Sequence, residues 1–186
     1  MKVPLPGRRS LTRDAAAGLE VVIPATRSIL LLLFLSAWLV GWAFGEVMVT
    51  RQLFSGRARE GGLFLAAWLT MWTVGGAAAI YAWLWMAVGK EIVSLRPGVL
   101  SIRRDVFGLG RSHEYDLAHV RGLRLSPQVS DPFGRTSGTR FWGIGGGLIA
   151  FDYGAKTFRF GAGVDEAEAS QIIGELKARH SFEGAA

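Results

Sequence analysis

Few side chains in this 186-residue sequence have the types and spacing that chemistry needs. His113 and His119 are six positions apart at the end of an alternating segment, and His180 ends the last helical pattern. Zinc ligands recur at short, regular intervals, and none of these spacings fits. The absence of cysteine excludes disulfides and cysteine-based metal or redox chemistry. The serines are scattered, without the Gly-x-Ser-x-Gly elbow that marks a nucleophile. The run Gly143-Ile144-Gly145-Gly146-Gly147 invites a phosphate-loop reading. Such loops follow a strand, open a helix and usually carry a lysine. Here a strand pattern follows and no Gly-Lys-Ser/Thr is present, so a flexible loop or a lead-in to a strand is expected. No catalytic residue, cofactor ligand or metal ligand is assigned.

Two sets of charged residues remain. Glu46 is the only acid at the edge of an apolar stretch, and a carboxylate at membrane depth is a functional candidate by default. It lies about 27 Å along its helix, close to Arg51, and is expected to be interfacial or paired. Arg96, Arg103, Arg104 and Arg111 follow the second apolar stretch closely. They are candidate contacts for anionic lipid headgroups, each worth about 1 kcal/mol near a charged surface. Residues 90–164 carry eleven Lys/Arg against six Asp/Glu, and residues 165–186 carry two against five. The alternating segments are therefore basic and the last helix acidic. The net charge of +6 is spread along the chain and is no mark of nucleic-acid binding.

The elements that position these residues begin with two uncharged stretches. Ser28 to Gly45 spans eighteen residues and Leu63 to Val88 twenty-six. As helices they cover about 27 Å and about 39 Å, against a hydrocarbon core of about 30 Å. Neither offers the polar face of a soluble core helix. Two membrane spans at about 28–49 and 63–88 are expected, within a hairpin at 27–89. Phe34-Leu35-x-Ala37-Trp38-Leu39-x-x-Trp42-x-x-Gly45 recurs thirty residues later as Phe64-Leu65-x-Ala67-Trp68-Leu69-x-x-Trp72-x-x-Gly75. Folding about Ser55 pairs positions that sum to 110 and sets Trp38 near Trp72, Trp42 near Trp68. The tryptophans Trp38, Trp42, Trp68 and Trp72 either pack across the hairpin, with the small run Gly75 to Ala79 allowing close approach, or face lipid. Tyr81, Trp83 and Trp85 read as an interfacial belt.

Residues 1–26 hold no apolar signal-peptide region and carry Asp14 and Glu20, so they read as an arm before an uncleaved signal anchor. Nine Lys or Arg flank the two spans on the terminal sides, and Arg51, Arg57 and Arg59 lie between them. Both termini are thus expected in the cytoplasm.

Beyond Gly89, glycines and prolines punctuate short alternating runs. Strands are expected at Lys90–Leu95, Val99–Val106, Arg111–Leu117, Val120–Leu125, Leu148–Tyr153 and Lys156–Phe160. Ser126 to Gly147 reads as a loop with one short strand around Thr139 to Trp142. Asp165 and Glu168 fit a capping box, and Ala169, Ile172, Ile173 and Leu176 give the following helix an apolar face. The fold class is a membrane α-helical hairpin plus a β-rich (α+β) module, a curved sheet or partial barrel capped by a C-terminal helix.

The two spans, Gly89-Lys90-Glu91-Ile92, Leu100-Ser101-Ile102-Arg103-Arg104 and Arg111-x-x-x-Tyr115-Asp116-Leu117 resemble the bacterial pleckstrin-homology-like (PH-like) membrane proteins. Phe151-Asp152-Tyr153-Gly154 and Phe158-Arg159-Phe160-Gly161, leading into the capped helix, extend the likeness over roughly residues 20–180. The resemblance implies a PH-like module at 90–182, a seven-stranded, helix-capped barrel. Six strands are read, so the seventh is expected within 126–147. It implies no catalytic residues. The expected function is a non-enzymatic, membrane-anchored binding module in a bacterial inner membrane. Its partners are the lipid bilayer and a protein, with homo-oligomers open and nucleic acid not expected. The alternative is a small oligomeric transport or channel component, because repeats recur in transporters.

Overall fold

Every second residue from Leu19 to Ile23 is apolar and buried, while Glu20 and Val22 face the other way. A period of two with one buried face makes a strand. The computed structural model describes residues 10–15, 18–55, 61–126 and 146–182. In chain order its elements are β1 (Leu11–Ala15), β2 (Gly18–Pro24), α1 (Ile29–Phe54), α2 (Gly62–Val88), β3 (Lys90–Arg96), β4 (Val99–Val106) and β5 (Leu109–Asp116). A 3-10 turn at Leu117–His119 leads to β6 (Val120–Leu125), β7 (Ile149–Tyr153), β8 (Lys156–Phe160) and α3 (Glu166–Lys177). The first five strands form an antiparallel sheet in the order β1-β2-β3-β4-β5, and β6-β7-β8 form a second.

The N-terminal segment thus differs from its reading as an arm. It supplies β1 and β2, and β2 pairs with β3 from Leu19↔Leu95 to Pro24↔Lys90. The two strands are separated by the whole helical segment, which is why local pattern reading leaves β2 unpartnered. Among the described residues there are eight strands, the six read from the sequence plus these two. The strand expected within 126–147 falls mainly on residues 127–145, outside the described residues.

The chain divides into two compact units, one within Arg27–Ala87 and one drawing on the chain up to Thr26 and from Val88. In the β-rich unit both sheets and α3 share a core that includes Val21, Val93, Leu100, Ile149, Phe151, Phe160, Ile172 and Leu176. The Asp165 carboxylate caps α3 by accepting the Glu168 N–H at 2.8 Å. Glu168 itself completes no box. Its buried carboxylate accepts the Ser10 N–H at 2.5 Å, and Glu175 accepts the Thr12 hydroxyl at 2.8 Å. Two of the three acids of α3, Glu168 and Glu175, thereby hold the N-terminal segment. β6 carries a bulge between Arg121 and Arg124. Asp152 secures it, taking both Arg124 nitrogens at 2.5 and 3.1 Å and the Thr157 hydroxyl at 2.6 Å. The Arg124 bond, then that from Thr157, holds the Asp152 carboxyl below its ordinary range.

In the helical unit, α1 and α2 are long and apolar enough to cross a membrane. Ser28 caps α1 through its hydroxyl, which accepts the Leu31 N–H at 3.4 Å. No proline or glycine intervenes between Glu46 and Ser55, and α1 runs past the expected end at 49 to Phe54.

The place of β2 in the sheet can be tested with neighbouring residues on opposite faces. Ile23→Ala is expected to cost about 2–5 kcal/mol. Val22→Ala is expected to cost under about 1 kcal/mol. Urea denaturation of the detergent-solubilised full chain, followed by circular dichroism, measures both. Equal, small effects would show that the segment does not contribute to the core.

Candidate anion-binding site

Three neighbouring strands bring charged side chains onto one face. Glu91 of β3 stands opposite Arg104 of β4, and Arg104 stands opposite Arg111 of β5. Ile102 pairs with His113, and Leu100 with Tyr115, along the same strands. Together with Phe158 and Arg159 of β8, residues Glu91, Ile102, Arg104, Arg111, His113 and Tyr115 line a cavity of about 240 Å³.

Glu91 forms its buried floor, accepting the Gly161 N–H at 2.7 Å and lying 3.6 Å from Arg104 Nε. Burial pushes the Glu91 carboxyl above its ordinary range. The Gly161 N–H, Arg104 and the Ala162 backbone pull it back only in part. Arg104 is 40% exposed, so water screens much of its charge from Glu91. Arg111 and Arg159 are exposed and make no hydrogen bond or ion pair among the described residues. Tyr115 forms an aromatic wall, its ring 5.0 Å from Phe151 and Phe158 and 5.4 Å from Tyr153. Burial raises the Tyr115 hydroxyl pKa. Guanidinium groups without counter-ions, aimed at a cavity, suit the planar or tetrahedral oxygens of a carboxylate or phosphate.

The structure sorts the four expected arginines. Arg104 and Arg111 meet at the cavity. Arg103 faces the other way, bound to Asp105 at 2.8 Å and donating to the Gly108 carbonyl. Arg96 is at the opposite end of β3 from Lys90, about 20 Å along the strand, and pairs with Glu114 at 2.6 Å. Closeness in sequence does not bring the four together, because β3 carries Arg96 to the sheet end opposite Lys90.

The histidines are dispersed: His113 in the cavity, His119 at 3.4 Å from Asp116, and His180 against Phe182. Of the glycine run, residues 143–145 lie outside the described residues. Gly147 leads directly towards β7, where a Cβ would come within 1.8 Å of the Phe160 carbonyl oxygen. Sequence reasoning missed Glu91 and Arg159. Glu91 was legible in principle, since it shares the parity of Val93 and Leu95 and is thus a carboxylate on a core face. Arg159 reaches the cavity only through tertiary packing.

In the helical unit, Trp42 donates to the Trp72 carbonyl at 3.1 Å. Trp38 contacts Trp72 at 6.2 Å, and Trp68 stacks on Trp72 within α2 at 4.8 Å. The Trp42 ring lies over Gly76, where a Cβ would approach it to 2.0 Å. Glu46 accepts the Thr73 hydroxyl at 2.6 Å, and Ser36 accepts the Trp83 N–H at 2.9 Å. Trp38 thus meets Trp72, the pair expected from a sum of 110, while Trp42–Gly76, Glu46–Thr73 and Ser36–Trp83 sum to 118 or 119. Because α1 ends at Phe54 and α2 starts at Gly62, the chain turns later than Ser55. Glu46 is thus partnered by Thr73 and forms no ion pair with Arg51 among the described residues. The expected aromatic belt is also revised: Trp85 is buried and Trp83 bonds Ser36, leaving Tyr81 exposed.

No protein-family model, curated protein or solved structure matches the chain.

The buried carboxyl makes stability depend on pH. A raised Glu91 pKa means that the folded state holds this proton more tightly than the unfolded state. Its contribution is therefore most favourable below the ordinary glutamate range and is lost as pH rises through the raised value. Glu91→Gln should remove this decline, as seen in urea midpoints across pH; an unchanged pH slope would show that Glu91 does not cause it. Within the hairpin, Gly76→Leu should displace Trp42 and separate the helices. In a chain without native cysteine, a Glu46→Cys/Thr73→Cys pair treated with a short thiol crosslinker reports this as lost crosslinking.

Proposed function

We propose that the chain is a non-enzymatic, membrane-anchored binding module. The helices α1 and α2 cross the membrane as an antiparallel hairpin. The β-rich unit, PH-like and capped by α3, takes an anionic group of a protein partner into the cavity above Glu91. The carrying observation is that Arg111 and Arg159 line one cavity and have no ion pair among the described residues. A carboxylate or phosphate on the partner supplies the missing charge.

The membrane reading draws on the length and apolar character of both helices and on their exposed Leu30, Leu33, Phe34, Phe64 and Met71. The Lys and Arg bias supports a cytoplasmic reading of both termini, and the resemblance to bacterial PH-like membrane proteins supports a bacterial inner membrane. The PH-like reading draws on the order β2-β3-β4-β5, then β6-β7-β8, then a closing helix. The transport alternative is weaker, because most of the hairpin's polar groups bond within and between its helices, and among the described residues only Glu46 Oε2 and Trp72 Nε1 are buried there without a hydrogen bond.

The test uses full-length tagged protein, crosslinked in membranes and purified. An Arg111→Ala/Arg159→Ala double variant should fold normally, since both side chains are exposed and unpaired. It should lose the proteins that copurify with the parent. Retention of the same proteins by the double variant would sink the assignment.

A further inference from the structure

The two-residue turn between β4 and β5, Phe107-Gly108, has both φ angles positive, at 54° and 84°. Asn-Gly or Asp-Gly normally fills such a turn, because other side chains crowd their own backbone in this conformation. Phe107 therefore gives the turn no local advantage. It is 71% exposed, and the neighbouring Leu109 is 81% exposed. The turn is nevertheless firmly held. Asp105 accepts the Gly108 N–H at 3.1 Å, and Arg103 bridges Asp105 and the Gly108 carbonyl. A strained turn that displays two large apolar side chains to solvent points to a contact surface.

Register locates this tip. Asp105 pairs with Lys90, and Lys90 pairs with Pro24. The tip thus projects from the sheet end at which the chain leaves for α1, four residues after Pro24, and returns from α2 at Lys90. The Pro97-Gly98 turn lies at the opposite end. The cations Lys90, Arg103, Arg104 and Arg111 surround the tip, against the acids Asp105 and Glu91. Apolar residues ringed by excess positive charge, at the end continuous with two apolar helices, match an anionic bilayer. The rings can enter the acyl boundary while the cations meet phosphates.

We propose that Phe107 and Leu109 form a membrane-inserting finger, with Lys90 and Arg104 as its headgroup contacts. This rests on the reading of α1 and α2 as membrane spans. The finger gives the β-rich unit an attachment to the bilayer that the helices do not provide.

The absence of native cysteine makes the test direct. Full-length Leu109→Cys and Pro97→Cys proteins, each labelled with an environment-sensitive fluorophore, are reconstituted in phosphatidylethanolamine/phosphatidylglycerol vesicles. The label at 109 should be blue-shifted by the bilayer and quenched by a lipid-borne nitroxide, and the label at 97 should show neither effect. Adding Phe107→Ser should abolish the quenching. Lys90→Gln, outside the Arg111 and Arg159 cavity, should lower the docked-to-undocked ratio about fivefold, the value of one cation near an anionic surface. Equal signals at 97 and 109 in protein that resists alkaline extraction would overturn the finger and leave the anchor intact. Extraction of the protein by alkali would overturn the anchor itself. Quenching that persists unchanged in wholly phosphatidylcholine vesicles would overturn the role of the cations.

Discussion

The hydrogen bond from the Ala25 N–H to the Gly89 carbonyl, at 2.9 Å, closes the loop on which the fold depends. Beyond it on one side, β2 pairs with β3; on the other, the chain runs out through α1 and back through α2. Closing a flexible loop of roughly 64 residues would cost about 4 kcal/mol in chain entropy, before any constant term. An antiparallel pair of helices brings its own ends together, so much of that cost is met when the helices associate. The β2–β3 ladder can then form as though between near neighbours. Without β2, one edge of β3 would lose its partner, and Val21 and Ile23 would leave the core.

The same sheet end holds two buried acids in different circumstances. Asp105 is surrounded: Lys90 at 3.6 Å, Arg103 at 2.8 Å and the Gly108 N–H at 3.1 Å all face it. That arrangement ties the β4–β5 turn to β3 and leaves little of Asp105 for other partners. Glu91 has one close backbone donor and a longer contact to Arg104. Burial therefore dominates its protonation. A tightly paired acid suits construction. A loosely paired one lies beside two guanidiniums, Arg111 and Arg159, that have no ion pair among the described residues.

Much of this architecture was legible from alternation and charge. The strand pattern from Lys90 to Phe160, the two apolar helices and the apolar face of α3 follow from periods of two and 3.6. β2 carries an equally clear pattern in Leu19, Val21 and Ile23, but its partner lies on the far side of the helices, where sequence proximity is uninformative. The charged cavity was half legible. Arg104 and Arg111 can be paired through the β4–β5 hairpin, whereas Arg159 arrives from the second sheet. The second half of the capping box failed for a related reason: a tertiary donor, the Ser10 N–H, takes the Glu168 carboxylate.

The helical repeat shows how similar residues can acquire different roles. In the first copy, Trp42 crosses to the neighbouring helix and lies over Gly76. Thirty positions separate Trp42 from Trp72, and the same offset relates Gly76 to Glu46. Trp72 cannot make the symmetric approach, because position 46 carries a carboxylate side chain. Instead its ring stacks on Trp68 and reaches only van der Waals range of where a Gly45 Cβ would stand, at 3.9 Å. Glu46 turns to Thr73. Lipid gives little hydrophobic drive to helix pairing, so such close approaches and polar bonds set the register. A single exchange of glycine for glutamate thus breaks the two-fold relation between the copies. The repeat encodes one asymmetric hairpin.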